Sequence, residues 1–263
     1  MSNYLVTGAG GGMGSAVCRM LAGEGHRVWG IDRIPARPGA NWTQLTADIT
    51  DTGALRAIRE RLDAEDVRLD GIVHAAGVYD LNALLEMPEA DFIRDFDVNL
   101  FGMFRVNRTF APLLRGGGRI VMISSELAPL HPLPFTGVYA VTKAAVERYA
   151  EALRMEAQLL GHSVIVVRPG AVRTDMLPAS TEKLERFVGN TKLYHCNAAR
   201  FKRIVDRVEA RSVPPERIAE VIHRALTAKR PRLAYSVNRN PLLLLLNALP
   251  RRAQLWIIRR ILR

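Results

Sequence analysis

Apolar and polar positions along this chain form two kinds of segment. Short runs rich in apolar residues are typical of strands buried on both faces of a sheet, and an apolar residue at every third or fourth position is typical of an amphipathic helix. The first kind predicts strands at 4–7, 26–31, 41–45, 71–75, 119–123, 163–167 and near 232–237. The second predicts helices at about 13–22, 52–62, 88–114, 137–160 and 215–228.

The regular alternation of strands and helices predicts the fold class. Parallel strands need crossover connections, and helices provide them on both faces of the sheet. We expect an α/β fold, a doubly wound parallel sheet of about seven strands flanked by helices, in a single domain over residues 1–240. Such sheets bind ligands at the carboxyl ends of their strands.

Composition narrows the class of protein. The 263 residues are 48% hydrophobic and 24% charged, which excludes a disordered chain, a collagen-like fibre and a disulfide scaffold. No apolar run approaches the ~20 residues that span a bilayer. The two cysteines, Cys18 and Cys196, form no CxxC pair, which predicts a reducing compartment and no metal site. A glycine-rich motif begins at Thr7 and leaves no room for a signal peptide, so we expect a cytoplasmic protein.

The net charge of +11 belongs mainly to one end of the chain. Residues 229–263 contain nine Lys and Arg and no Asp or Glu, whereas residues 1–228 contain 28 basic and 26 acidic residues, a net charge of +2. A nucleic-acid enzyme more often spreads its basic residues over a binding face, with aromatic residues among them. The charge therefore predicts no nucleic-acid partner.

A glycine-rich turn, TGAGGGMG at 7–14, joins the first strand to the first helix. Glycine permits a tight turn and lets the backbone approach a pyrophosphate, and the adjoining helix amino terminus attracts anions. Many turns contain several glycines, but a position after a strand and before an amphipathic helix favours dinucleotide binding. The candidate contacts are Gly8, Gly12, Met13 and Gly14.

Asp32 ends the second predicted strand, 18 residues after Gly14. A carboxylate here can accept hydrogen bonds from both hydroxyls of an adenosine ribose and would repel a 2′-phosphate. Arg33 beside it can pair with a phosphate, and a solvated turn is the alternative interpretation. Because no basic residue occurs at 9–13, NAD is predicted over NADP.

Tyr139 and Lys143 lie four residues apart, on one face of a predicted helix. A nearby ammonium group favours the phenolate, so a tyrosine, whose free pKa is ~10, can exchange protons near neutral pH. Tyrosine and lysine at this spacing are usually only surface neighbours. Three further features strengthen the functional hypothesis: Asn99 in the long helix, Ser125 after the fifth strand, and the turn PGAVRT at 169–174.

Together and in this order, the motifs resemble the short-chain dehydrogenase/reductase family over about residues 3–237. The resemblance implies a Rossmann-like fold and reversible hydride transfer between NAD or NADP and a secondary alcohol or ketone. The catalytic residues that it implies are Asn99, Ser125, Tyr139 and Lys143. The cofactor contacts that it implies are Gly8, Gly12, Met13, Gly14, Asp32, Arg33, Asp48, Ile49, Ala76, Gly77, Tyr139, Lys143, Pro169, Gly170, Val172 and Thr174.

The resemblance also implies a role for each catalytic residue. Tyr139 as phenolate would take the proton of an alcohol, and Ser125 would hold the substrate oxygen. Lys143 would bind the nicotinamide ribose and lower the tyrosine pKa, and Asn99 would hold a water that links this lysine to solvent. Homodimers or homotetramers, formed through the helices at 90–114 and 137–160, are implied as well.

Two positions depart from the family pattern. The usual Asn-Asn-Ala-Gly element reads His-Ala-Ala-Gly at 74–77, so Ala75 replaces an asparagine that braces the sheet. Ser125 and Tyr139 are 14 residues apart, one more than usual, and the loop between them carries three prolines. We expect this loop to bulge while Ser125 keeps its role, with Ser124 as the alternative.

The segment at about 175–214, where the family places a substrate lid, is rich in apolar side chains. These predict a small lipophilic substrate, such as a steroid, retinoid or long-chain alcohol, unless they only pack the lid onto the core. They are Met176, Leu177, Leu184, Phe187, Val188, Leu193, Tyr194, Phe201, Ile204 and Val205.

The tail, residues 241–263, contains five leucines at 242–246 and a candidate helix from Pro250. That helix would place arginines on one side and Leu255, Ile258, Ile261 and Leu262 on the other, with Trp256 at the border. The arginines are Arg251, Arg252, Arg259 and Arg263. Three interpretations are open: peripheral contact with an anionic membrane, cover for a neighbouring subunit, or closure of the chain's own pocket.

A catalytically silent cofactor-binding regulator or a membrane adaptor is the alternative function, although the intact catalytic set argues against a silent protein.

Overall fold

The computed structural model describes residues 1–36, 39–174, 176–209 and 211–263, without the side chains of 176–181, 183 and 208–209. Seven strands of this described part form one parallel sheet in the order β3-β2-β1-β4-β5-β6-β7. They are β1 Asn3–Thr7, β2 Arg27–Asp32, β3 Trp42–Thr46, β4 Leu69–His74, β5 Leu114–Ile123, β6 Ser163–Pro169 and β7 Ala234–Val237. β2 and β3 extend the sheet on one side of β1, and β4 to β7 extend it on the other side. This strand order confirms the doubly wound α/β prediction.

Helices connect the strands and follow the last one. They are α1 Gly12–Gly23, α2 Thr52–Ala64, α3 Glu89–Phe96, α4 Gly102–Phe110, α5 Gly137–Ala157, α6 Met176–Asn190, α7 His195–Glu209, α8 Pro215–Thr227, α9 Pro241–Ala248 and α10 Arg251–Leu262. Among the described residues, no helix is long and apolar enough to cross a bilayer.

Alternate residues of each strand enter different layers of the core, because successive side chains of a strand point to opposite faces. Val6 and Val121 pack in the cluster that contains α1 and α8. Leu5 packs with the side chains of α2 and α4 on the other face, where Met122 packs with those of α5. Both faces are therefore buried, and the carboxyl edge of the sheet is left for a ligand.

The predicted helix at 88–114 is interrupted. A π-helix, Asp97–Phe101, lies between α3 and α4, and the 3₁₀ turn Ala111–Leu113 ends the segment. β5 then begins at Leu114 rather than at 119. Its register against β4 shifts between the pairs Leu69–Leu114 and Gly71–Arg119, and the glycines at 116–118 lie within this shift, Gly117 with a φ of +81°. Glycine has no side chain that contributes to a pattern of apolar and polar positions. The pattern therefore did not predict a strand that begins before 119.

Candidate active site

The loops after β1, β4, β5 and β6 converge at the carboxyl edge of the sheet around a cavity of about 550 Å³. The ends of parallel strands share one edge, which is why residues far apart in sequence meet there. Of the predicted site residues, the cavity is lined by Met13, Ala76, Gly77, Ser125, Tyr139, Lys143, Pro169, Gly170, Val172 and Thr174.

The glycine-rich turn is packed too tightly for larger residues. Gly8 has a φ of +71°, and a Cβ on Gly14 would lie 2.0 Å from the carbonyl oxygen of Gly8. A Cβ on Gly12 would lie 2.8 Å from the Thr174 side chain, so these two segments of the site lie against each other. The amino end of α1 has no side-chain cap and no acidic residue in its first turn, which leaves its amides suited to an anion such as a pyrophosphate.

The acidic positions lie beyond this turn. Asp32 accepts hydrogen bonds from the backbone N–H groups of Gly10 and Ile34, both at 2.9 Å. Arg33 is exposed, and its Nη1 lies 3.5 Å from Oδ2 of Asp48. Burial opposes the charge of Asp48, but hydrogen bonds from Thr50 and the charge of Arg33 hold its pKa below the usual range.

Ile49 follows Asp48, and its side chain does not face the cavity. It is buried, and a Cβ on Gly102 of α4 would lie 2.5 Å from Ile49 Cδ1. Only its backbone remains available for the predicted cofactor contact.

Tyr139 and Lys143 occupy the first turns of α5, beside the end of β5. Nζ of Lys143 lies 5.7 Å from the ring centroid of Tyr139 and donates to the carbonyl oxygen of Ile123 at 3.0 Å. Burial raises the pKa of Tyr139 to about 12, a hydrogen bond with Ser125 opposes this rise, and the charge of Glu126 adds to it. Burial also lowers the pKa of Lys143 to about 8. The two side chains are therefore close to each other, desolvated and part of the cavity wall.

Asn99 lies in the π-helix, one of the irregular turns that often mark functional sites. Its Oδ1 accepts from the backbone N–H of Val78 at 2.8 Å. Its Nδ2 donates to the carbonyl oxygen of Val78 at 3.0 Å and to Oγ1 of Thr142 at 3.1 Å. The side chain thereby ties the loop after β4 to α5, next to Gly77 and Lys143. The water that Asn99 would hold stays a prediction.

Other residues brace the sheet where Ala75 replaces the family's asparagine. Thr7 accepts hydrogen bonds from the backbone N–H groups of Ala75, on its carbonyl oxygen at 3.2 Å, and of Ala76, on Oγ1 at 3.4 Å. Nε2 of the buried His74 lies 2.7 Å from Oδ1 of Asn107. Burial lowers the pKa of His74 to about 4, so this imidazole is neutral at neutral pH.

The longer loop after Ser125 keeps this serine at the cavity. Ser125 forms its hydrogen bond with Tyr139, whereas Oγ of Ser124 lies 3.5 Å from the carbonyl oxygen of Lys143. The loop inserts the buried Phe135 between the lid helices, with its ring centroid 5.1 Å from that of Phe187. This geometry favours Ser125 over Ser124 as the substrate contact.

A sequence model described as short chain dehydrogenase matches residues 2–185. The chain belongs to this family. As a short-chain dehydrogenase/reductase it is an oxidoreductase, and the family generally binds NAD or NADP.

Relatives of this short-chain dehydrogenase carry names of different substrates. The chain is 28% identical to a 3-ketodihydrosphingosine reductase of Bacteroides thetaiotaomicron over 229 residues, which cover 86% of this chain and 84% of the relative. It is 33% identical to a galactitol 2-dehydrogenase (L-tagatose-forming) of Cereibacter sphaeroides over 193 residues, 69% of this chain and 76% of the relative.

Solved structures agree in fold. A short-chain dehydrogenase of Streptomyces avermitilis superposes with a TM-score of 0.73 at 26% identity, covering 90% of this chain and 88% of that one. An aldohexose dehydrogenase of Thermoplasma acidophilum superposes with a TM-score of 0.74 at 20% identity, covering 90% and 92%, and shows the shared fold alone.

Glu126 is a cavity residue of this dehydrogenase that the sequence analysis missed. It follows Ser125, lines the cavity and is buried, and its Oε2 accepts from the backbone N–H of Asn240 at 2.7 Å. Burial raises the pKa of Glu126, against the opposing hydrogen bond from Asn240 and the charge of Arg239. An acidic residue directly after the predicted serine, in an otherwise apolar loop, was the available signal.

The tail of the dehydrogenase lines this same cavity. The lining residues of α9, α10 and the turn between them are Leu242, Leu243, Leu245, Leu246, Leu249, Ile257, Ile258, Ile261 and Leu262. Hydrogen bonds hold the tail in place. Just before it, the backbone N–H of Asn240 donates to Glu126. Within it, Oδ1 of Asn247 accepts from the backbone N–H of His131, and the carbonyl oxygen of Leu262 accepts from Asn197. Of the three interpretations of the tail, closure of the chain's own pocket is the one that this arrangement displays.

The apolar residues of α10 differ in how far they are buried. Ile258 and Leu262 pack in the cluster that contains the lid residues Leu184, Phe187 and Phe201. Leu255 and Ile261 are instead 53% and 54% exposed, as is Trp256 at 68%. The reason is that α10 lies along the cavity mouth, so some of its apolar residues meet solvent together with its arginines.

The apolar lid residues divide between core and cavity. Leu184 and Phe187 pack with Phe135, and Ile204 lines the cavity. Phe201 and Val205 do both. Val188 and Tyr194 are partly buried against the same cluster, and Leu193 is exposed. The side chains of Met176 and Leu177 lie outside the described residues.

Proposed function

We propose that this short-chain dehydrogenase/reductase is an NAD(H)-dependent enzyme that interconverts a secondary alcohol and a ketone on a small lipophilic substrate. One observation supports this most directly: the polar groups Ser125, Tyr139 and Lys143 line a cavity to which the tail contributes only leucine and isoleucine side chains. Cavities of this kind bind a ligand through apolar area and orient it through a few polar groups.

The described residues fit a dinucleotide. The amides at the start of α1 suit its pyrophosphate, and Asp32 suits the adenosine ribose. Gly12 packs against Thr174 with no room for a Cβ, which brings the glycine-rich turn and the turn after β6 together on one side of the site. The remaining proposed contacts are Gly8, Met13, Gly14, Arg33, Asp48, Ile49, Ala76, Gly77, Tyr139, Lys143, Pro169, Gly170 and Val172. A bound nicotinamide would supply the carbon that accepts or donates the hydride.

The side chains of this protein handle the proton and hold the substrate. Ser125 donates a hydrogen bond to the substrate oxygen, and Tyr139 takes the hydroxyl proton during oxidation or returns it during reduction. Below about pH 8, Lys143 is charged and favours the phenolate of Tyr139. Asn99 positions the loop after β4 and α5 around these groups.

The substrate class follows from the walls of the cavity. We assign residues 1–240 to the catalytic domain, about 175–214 to its lid, and 241–263 to a tail that completes the pocket. A relative named for the reduction of 3-ketodihydrosphingosine agrees better with leucine-lined walls than one named for galactitol does. Among steroids, retinoids and long-chain alcohols, we therefore favour a long-chain alcohol or its ketone.

A substrate screen tests the proposed function. The fluorescence of NADH is first followed on binding, and reduction of NAD is then measured with secondary alcohols of increasing chain length and with polyols. We expect kcat/KM to rise with chain length until the apolar cavity is filled. A preference for polyols over alkanols would contradict the proposal, and the Tyr139→Phe variant provides the blank rate.

The Asp32→Ala variant is expected to lose its preference for NAD. The carboxylate would repel the 2′-phosphate of NADP, and its removal ends this repulsion. The exposed Arg33, which lies 3.5 Å from Asp48, would then be able to pair with that phosphate. We expect the ratio of kcat/KM for NADP to that for NAD to rise by about tenfold or more, since one charge contact contributes roughly 1.5–3 kcal/mol. Initial rates with both cofactors check this, and an unchanged ratio would contradict the assignment of Asp32.

The Glu126→Gln variant is expected to move the pH profile. The Glu126 charge raises the pKa of Tyr139, so its removal lowers that pKa, and the acid limb of kcat/KM for alcohol oxidation shifts to lower pH. Gln can still accept from Asn240, which preserves the contact with α9. The control is Glu151→Gln, an exposed change on α5, the helix that carries Tyr139. This variant should leave the acid limb of kcat/KM in place.

We further propose a homodimer or homotetramer formed through α3, α4 and α5. Apolar side chains on this part of the surface are exposed, among them Ile93, Phe101, Phe104 and Val141. Such residues support an interface between copies of the chain.

Both cysteines are free thiols, which supports a cytoplasmic location.

A further inference from the structure

The outer surface of the tail combines exposed apolar side chains with a high density of positive charge. Leu255 and Trp256 of α10 are 53% and 68% exposed and do not line the cavity. The exposed arginines of this helix and of the residue that follows it are Arg251, Arg252, Arg259, Arg260 and Arg263. We call Leu255, Trp256 and these five arginines the tail surface.

The mouth of the cavity adjoins the tail surface. Four residues both line the cavity and are at least 37% exposed, so they form its rim: Ile204 of α7, Leu242 and Leu245 of α9, and Ile261 of α10. An apolar molecule that enters there passes between aliphatic side chains. Exposed aliphatic groups at a rim are unfavourable in water and favourable against a hydrocarbon phase.

The charge of the tail decides which partner fits this surface. A second copy in a closed dimer would bring the same patch against itself, and arginines would face arginines. The described tail offers no carboxylate to offset them, because residues 229–263 contain no Asp or Glu. An anionic lipid bilayer instead offers negative headgroups to the arginines and a hydrocarbon layer to Trp256 and the leucines.

We propose that the tail surface docks on an anionic lipid bilayer, and that the rim beside it receives the substrate directly from that bilayer. The substrate part of this inference rests on the proposed function, whereas the docking part does not. Because α9 and α10 have only 8 and 12 residues, they lie on the membrane and do not span it.

Flotation of the purified full chain tests the docking. Vesicles of phosphatidylcholine alone are compared with vesicles that contain about 30% phosphatidylglycerol, at about 0.1 M salt. We expect flotation only with the anionic vesicles. The Arg252→Gln, Arg259→Gln double variant should bind them roughly 30-fold more weakly. The Leu255→Ser, Trp256→Ser double variant should also bind more weakly, because it removes the inserting groups. All four positions are exposed, so these changes spare the core.

A matched control removes exposed leucines elsewhere. Leu159 and Leu160 are 82% and 71% exposed in the turn after α5, close to the start of β6 and thus at the opposite edge of the sheet. The Leu159→Ser, Leu160→Ser variant should float like the unchanged protein. All variants should oxidise a short, water-soluble secondary alcohol equally well. The Leu255→Ser, Trp256→Ser variant should lose activity only on a long-chain alcohol presented in anionic vesicles.

The possible failures are distinguishable. Equal flotation with neutral and anionic vesicles, no flotation, or no effect of the tail changes would overturn the docking. If the Leu255→Ser, Trp256→Ser change instead lowers the mass in sedimentation velocity and leaves flotation unchanged, a second copy covers the surface and the docking proposal is wrong. Flotation as expected from a protein without turnover would refute the proposed function and support the docking.

Discussion

Replacement of Tyr139 by phenylalanine should lower kcat by about a thousandfold or more, because it removes the group that exchanges the proton with the substrate. The affinity for NAD should stay within a few-fold of its original value. Phenylalanine keeps the ring, whose centroid lies 4.6 Å from that of Tyr79, so the cavity wall keeps its shape. Turnover is measured by the absorbance of NADH with the best alcohol from the screen, and affinity by NADH fluorescence.

Tyr79→Phe is the matched control for this experiment. It removes the hydroxyl group of the neighbouring cavity ring and should keep turnover within a few-fold. If Tyr139→Phe were as active as Tyr79→Phe, the assignment of the proton-transferring residue would be wrong. A loss of NAD affinity as large as the loss of turnover would indicate instead that the tyrosine acts mainly in cofactor binding.

Replacement of Lys143 by methionine should nearly abolish turnover and yet stabilise the cofactor-free protein. Lys143 is 4% exposed, and burial lowers its pKa from 10.5 to about 8. Holding this charged group in the fold near neutral pH costs about 3 kcal/mol, since one pKa unit corresponds to about 1.4 kcal/mol. Methionine removes this cost and loses one hydrogen bond to Ile123, worth about 1 kcal/mol. We expect the free energy of unfolding at pH 7 to rise by about 2 kcal/mol.

The pH dependence of this stability gives a second measurement. Between about pH 8 and the unfolded pKa, the unfolded chain binds more protons at Lys143 than the folded one, so the unchanged protein gains stability as the pH rises. The advantage of Lys143→Met should therefore shrink from pH 8 to pH 10. Urea unfolding at both pH values checks this. Lys143→Arg retains the charge and should lose activity without gaining stability.

Much of the candidate site was accessible from the sequence, because its residues follow strands or open helices at recognisable spacings. The glycine turn, Asp32 and the pair Tyr139 and Lys143 all lie where the predicted strand and helix ends place them. Their catalytic and cofactor roles remain predictions. The geometry shows which side chains share a cavity and how burial shifts their pKa values.

Glu126 illustrates what a linear pattern misses. Its importance comes from contacts with Asn240, more than a hundred residues away, and from its charge near Tyr139. Asn99 is similar, since hydrogen bonds to Val78 and Thr142, both distant in sequence, hold its side chain in place. Burial and long-range hydrogen bonds are properties of the folded chain, so no spacing predicts them.

The sequence by itself determined the sheet, its flanking helices, the family and the asymmetry of charge, because periodicity, glycine positions and charge counts are local or additive properties. Only the tertiary structure decided where the tail lies. The leucines and arginines of 241–263 predict an amphipathic segment that can cover a membrane, a subunit or a pocket equally well. Packing against α7 and hydrogen bonds to the loop after β5 place it at the cavity and leave its arginines in solvent. That arrangement arises from the sum of distant contacts, which a one-dimensional pattern does not contain.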